Sequence, residues 1–161
     1  MSDRPPAVHV HVHRVMAGAF PLRVADLLFT DDTLVVPEYR YLTPLSGILR
    51  GRHEVGAAAA KRYREAGVGG LVEMAERIHR IAYADIERVR IYDGRSVGRP
   101  KVTIDVTAGP PYAYRVHAPV DVAALTDALT SLGRRRGFGV EHHGTLGFDP
   151  RTSLRRFLAD R

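Results

Sequence analysis

The stretch Lys101 to Gly137, KVTIDVTAGPPYAYRVHAPVDVAALTDALTSLGRRRG, constrains the fold more than any other, because it reads as strand, turn, strand, helix. Val102, Ile104 and Val106 alternate with Thr103, Asp105 and Thr107, the period of two of a half-buried strand. Gly109, Pro110 and Pro111 interrupt it, since proline fixes φ and removes ladder donors. Tyr112, Tyr114 and Val116 then alternate with Ala113, Arg115 and His117, which completes a hairpin with one buried face. Asp121 is placed to cap a helix whose Val122, Leu125, Leu129 and Leu132 form one apolar stripe. Gly133 or Gly137 supplies a left-handed stop, and Arg134 to Arg136 lie where the helix dipole favours cations. Such a helix needs a sheet to cover.

The remaining strands are legible in the same way. Ala7 to Val15, AVHVHVHRV, alternates Val8, Val10 and Val12 against His9, His11 and His13. Ala25 to Thr30 and Thr33 to Tyr39 flank Asp31-Asp32 as a hairpin, and Pro37 marks the second strand as an edge or a bulged one. Two helical segments are expected next, His53 to Ala66 closed by Gly67, and Leu71 to Arg80 with a stripe of Leu71, Met74, Ala75 and Ile78. Ala84 to Tyr92 resumes strand character, whereas Phe138 to Phe148 shows no regular period. Asp149 to Arg161 suggests a short final helix.

At 161 residues and 45% hydrophobic content the chain is long enough for one domain with a real core. It has no cysteine, which excludes disulfides, thiol nucleophiles and thiolate metal sites and fits a reducing compartment. Neither a signal-peptide run nor a stretch of the roughly 20 apolar residues a membrane span needs is present, so a soluble cytoplasmic protein is expected. Arginine dominates the cations, and residues 133–161 hold seven Arg against Glu141, Asp149 and Asp160, so +4 of the net +6 lies there. A basic end of this kind can seek nucleic acid, an anionic membrane or an acidic partner.

The run Ala25-Asp26-Leu27-Leu28-Phe29-Thr30-Asp31-Asp32-Thr33-Leu34-Val35-Val36, with Ile81-Ala82-Tyr83-Ala84-Asp85-Ile86-Glu87-Arg88-Val89 and the hairpin and helix that follow, resembles a pleckstrin-homology-like domain of the GRAM or bacterial type. The resemblance implies an α+β fold: a strongly bent antiparallel sheet, a PH-like barrel, with a C-terminal capping helix. It places that domain at residues 1–137, with a helical insertion at about 53–80 and a basic C-terminal extension at 138–161. It implies a non-enzymatic role in binding lipid head groups, peptides or proteins. Lipid-binding members use basic loops between the early strands, but here Thr30-Asp31-Asp32-Thr33 is acidic and Met16 to Leu22 neutral, so phosphoinositide binding is not expected there.

No GxxxxGK[ST], GxSxG or HExxH motif occurs, and Gly137-Phe138-Gly139 follows a helix, the wrong context for a dinucleotide fingerprint. The best binding patch is Arg134, Arg135 and Arg136 with Arg151, Arg155 and Arg156, for an anion or a partner. No metal site is assigned; His9, His11 and His13 on one strand face, and His142 and His143 beside Glu141, are the candidates, and no cofactor is expected. The expectation is a non-enzymatic interaction module that binds a protein partner or itself, the alternative being nucleic-acid or anionic-membrane binding through the arginine-rich extension.

Overall fold

The computed structural model describes residues 6–17, 22–42, 48–94 and 98–144, with side chains outside 41–52. Its strands are β1 (Val8–Ala17), β2 (Leu22–Thr30), β3 (Thr33–Leu42), β4 (Arg77–Ala82), β5 (Ile86–Tyr92), β6 (Lys101–Val106), β7 (Tyr112–Val116) and β8 (Gly139–His143). Helix α1 (Ile48–Met74) lies between β3 and β4, and helix α2 (Val122–Arg136) between β7 and β8. The strands form one sheet in the order β4-β3-β2-β1-β7-β6-β5-β8.

This corrects the expected antiparallel PH-like barrel. The sheet is mixed and open, because β8 runs parallel to β5 and the order ends in two edge strands. The physical cause lies after α2. Gly137 adopts φ 87 and stops the helix, and Phe138 then leads Val140 into register with Val89 on β5, so the chain extends the sheet and does not close it.

The opening stretch folds as its pattern requires. Val102 faces Tyr114 and Ile104 faces Tyr112 across the β6–β7 hairpin, and Asp121 accepts a hydrogen bond from the Ala124 amide at 3.0 Å. Leu125, Leu129 and Leu132 of α2 are buried on one side of the sheet, against Val12, Leu27, Val36, Ile91 and Ile104. Helix α1 covers the opposite side with Ala59, Val68 and Leu71 against Met16, Val24, Leu28, Val35 and Tyr39. The sheet is therefore sandwiched, and β2, buried along its length after Leu22, is its spine.

Two readings between residues 67 and 82 change. Helix α1 is broken at Gly67, whose φ of 58 and ψ of −145 are not helical, as the glycine suggested. The helix then ends at Met74, and Arg77 to Arg80 belong to β4 and not to a helix. Ile78 and Ile81, three apart, fit a helical face but fall on opposite faces of a strand; pairing with β3 decides, placing Ile81 in the core and leaving Ile78 36% exposed. Pro37 is not on an edge strand, since β3 lies between β2 and β4, and the register shifts close to it, between Ala25↔Glu38 and Val24↔Arg40. The segment after α2, which showed no period, supplies β8.

Candidate functional site

The most concentrated chemistry lies on the α1 side of the sheet, where β1 is distorted. Val12 pairs with Leu27 and Val15 with Ala25, so His13 and Arg14 together oppose Asp26. This is a β-bulge, and Arg14 sits in it with φ 49, a conformation a non-glycine residue adopts only when its surroundings enforce it. Asp26 is the enforcing group: its Oδ1 accepts the Arg14 amide at 2.6 Å. The extra residue also moves Val15 onto the same face as Val10 and Val12, which keeps that face apolar.

The Asp26 side chain is completely buried and lies among partners. Tyr39 donates its hydroxyl to Oδ2 at 2.9 Å, His13 Nδ1 lies 2.9 Å from Oδ1, and His11 Nε2 lies 3.3 Å from Oδ2. Burial by itself would raise the Asp26 carboxyl, but the His11 and His13 imidazoles beside it outweigh burial and hold it well below the usual carboxylate range. Burial and the same carboxylate push the Tyr39 hydroxyl up, so it remains a donor. The His11 ring packs 4.6 Å from Tyr63 of α1, and Arg14 donates from Nη2 to the His117 carbonyl at 3.0 Å.

The sequence grouped His9, His11 and His13. The structure keeps His11 and His13 together, their ring centroids 5.8 Å apart, and removes His9, which sits in a second register shift between Val8 and Val10 and pairs with Asp31 at 2.7 Å. Asp26 and Tyr39 were missed. The available signal was a carboxylate inside an otherwise apolar strand, at a position the Asp31-Asp32 hairpin places opposite Pro37, on the face of Tyr39.

Glu141, His142 and His143 lie in β8, and strand alternation separates them. Glu141 accepts from Arg88 Nη1 at 2.7 Å and pairs with His143 at 3.2 Å, while His142 lies 3.9 Å from Asp93. Arg88 and Arg90 also reach Asp105 of β6, at 3.2 and 2.6 Å, so this patch is a cross-strand ion-pair ladder. Of the arginine patch, Arg134 and Arg135 are exposed in the last turn of α2, and Arg136 lies 4.0 Å from Asp31 and 5.9 Å from the Tyr83 ring centre. Arg151, Arg155 and Arg156 lie outside the described residues.

A second polar group gathers at the start of β4. The Arg23 guanidinium donates to Glu38 at 2.7 Å, and His79 approaches the same carboxylate at 3.3 Å. Burial would raise Glu38, but His79 and Arg23 together lower it. Beside this group a shallow pocket of about 140 Å³ is lined by Arg23, Glu38, Arg40, Glu76 and Arg77.

With this geometry in view, the comparisons with known proteins bear on the fold. The chain is similar in structure to the hSac2 domain from the human phosphoinositide phosphatase Sac2. The likeness has a TM-score of 0.52 and covers 92% of this chain and 84% of that one, at 8% sequence identity. No protein-family model matches the sequence, and no curated protein does. The pleckstrin-homology-like assignment is thereby corrected: the strand and turn patterns that suggested it are common to many small sheet domains, and the likeness found is to the hSac2 domain. No helix among the described residues is long and apolar enough to cross a membrane.

Proposed function

We propose that this chain is a non-catalytic interaction module that takes an acidic, extended segment of a partner protein as an added strand along β4. The observation that carries the reading is that β4 ends the sheet, pairing with β3 on one side and with no other described strand on the other. An edge strand of six residues offers its backbone donors and acceptors to an incoming peptide. Its exposed positions are Ile78, Arg80 and Ala82, which present an apolar contact and a cation. A pocket lined by Arg23, Glu38, Arg40, Glu76 and Arg77 opens at its beginning; Arg23 is paired with Glu38 there, and the exposed Arg40 is the cation that would meet an acidic side chain. Pairing of β4 with its own copy would set the run Arg77-Ile78-His79-Arg80 against itself, and the like charges disfavour that occupant. The absence of a nucleophile, phosphate-loop or zinc-protease motif from the sequence agrees with a binding role, and a chain without cysteine suits a cytoplasmic setting.

The test uses a labelled peptide of alternating Glu and Val, a Lys-Val peptide of the same length, and fluorescence anisotropy. The acidic peptide binds and weakens as salt rises, and Arg80→Glu lowers its affinity by about tenfold, a loss of about 1.4 kcal/mol. Equal binding of both peptides would exclude the reading. Removing residues 145–161 leaves peptide binding intact; loss of binding on that truncation would favour the alternative, polyanion recognition through Arg151, Arg155 and Arg156.

A further inference from the structure

We propose that His11, His13 and Asp26 form a binding site for one divalent transition-metal ion of the zinc type. Among the described residues these three are the group of histidine and carboxylate side chains whose ligand atoms all lie within 4.8 Å of one another. Metal–ligand bonds of about 2.0–2.1 Å place tetrahedral ligands roughly 3.4 Å apart. The two histidine–carboxylate separations, 2.9 and 3.3 Å, lie within about 0.5 Å of that spacing, both slightly below it. Residues two apart on a strand ordinarily stand about 7 Å from each other. Here both rings turn toward the shared carboxylate, and their centroids stand 5.8 Å apart.

Three further observations point to a ligand. His11 Nε2 is buried, and its one polar neighbour among the described residues is the Asp26 carboxylate at 3.3 Å, a contact too long and poorly formed to satisfy it fully. A buried ring nitrogen left in this state is costly unless something binds it. The carboxylate is held from behind by the Arg14 amide and the Tyr39 hydroxyl, the supporting hydrogen bonds that orient a metal-binding carboxylate. Finally, the His11 and His13 side chains keep 20% and 29% of their surface exposed, while Asp26 keeps none, so an ion has an approach from the histidine side only. Two imidazoles and one carboxylate select a borderline metal such as zinc over calcium or magnesium, which prefer all-oxygen sites. Three protein ligands leave a fourth position for water.

The site is independent of the β4 edge and is tested separately. The full chain, stripped with a chelator, is titrated with zinc chloride by calorimetry. One equivalent binds; His11→Gln and His13→Gln each weaken it by at least about tenfold, and His9→Gln, whose ring faces Asp31, leaves it unchanged. Long-range proton–nitrogen spectra of the wild-type chain give a second readout that needs no variant: zinc moves His11 Nε2 and His13 Nδ1 to metal-bound positions and leaves His9 where it was. Binding weaker than about 100 µM overturns the proposal. So does binding that survives both substitutions, or a spectrum in which neither nitrogen moves.

Discussion

At the scale of the residue, Asp26 does most to organise this molecule. It fixes the bulge in β1, gathers two histidines and a tyrosine, and is fully buried while doing so. Removing the hydroxyl that supports it, with Tyr39→Phe, leaves a buried charge short of a partner and is expected to cost about 1.5 kcal/mol in urea unfolding. Its titration has a definite sign. The folded-state carboxyl is depressed, so the stability it contributes is complete above its unfolded pKa of about 3.9 and is lost as pH falls through the folded value. The groups facing it are His11, His13, Tyr39 and the Arg14 amide. Asp26→Asn is therefore less stable than wild type at neutral pH, yet loses less as pH falls from about 4 downward. Equal acid sensitivity in the two proteins would show that other carboxylates, Glu38 first among them, govern the acid limb. The sequence displayed the histidines, because alternation in one strand is visible locally. It hid their partner, because bringing Asp26 opposite His13 depends on how β1 is bulged against β2, which no local period encodes.

At the scale of the element, Gly67 separates α1 into two arms. Its φ of 58 and ψ of −145 lie in a region open essentially to glycine, and nothing lies within 4 Å of where a side chain would begin. Gly67→Ala is therefore expected to destabilise by about 1–3 kcal/mol through backbone strain alone. Gly69, equally open but inside the helix, gives the opposite result: Gly69→Ala stabilises by up to about 1 kcal/mol. Thermal or urea unfolding of the two variants side by side checks both. The elements that were legible are those whose signal is local, the β6–β7 hairpin and α2 between Asp121 and Gly137. Those misread owe their state to distant partners. Arg77 to Ala82 becomes a strand because β3 offers it an edge, and Gly139 to His143 becomes one because β5, some fifty residues earlier, accepts it in parallel.

At the scale of the whole molecule, the decisive property is that the sheet stays open. A closed barrel has no edges, whereas this one ends in β4 and β8. The two ends differ in character: β8 carries Glu141 and His143 within an ion-pair ladder reaching Asp105, while β4 exposes Ile78 and Arg80 beside a pocket lined by arginine and glutamate side chains. Under the proposed function the acidic strand is therefore assigned to β4 and not to β8. The most direct measurement is amide chemical-shift mapping of the full chain during titration with the Glu-Val peptide. The account predicts shifts concentrated in Arg77 to Ala82, with slowed hydrogen exchange of the β4 amides that face away from β3. Shifts confined to α2 and β8, or an unchanged spectrum at saturating peptide, would contradict it.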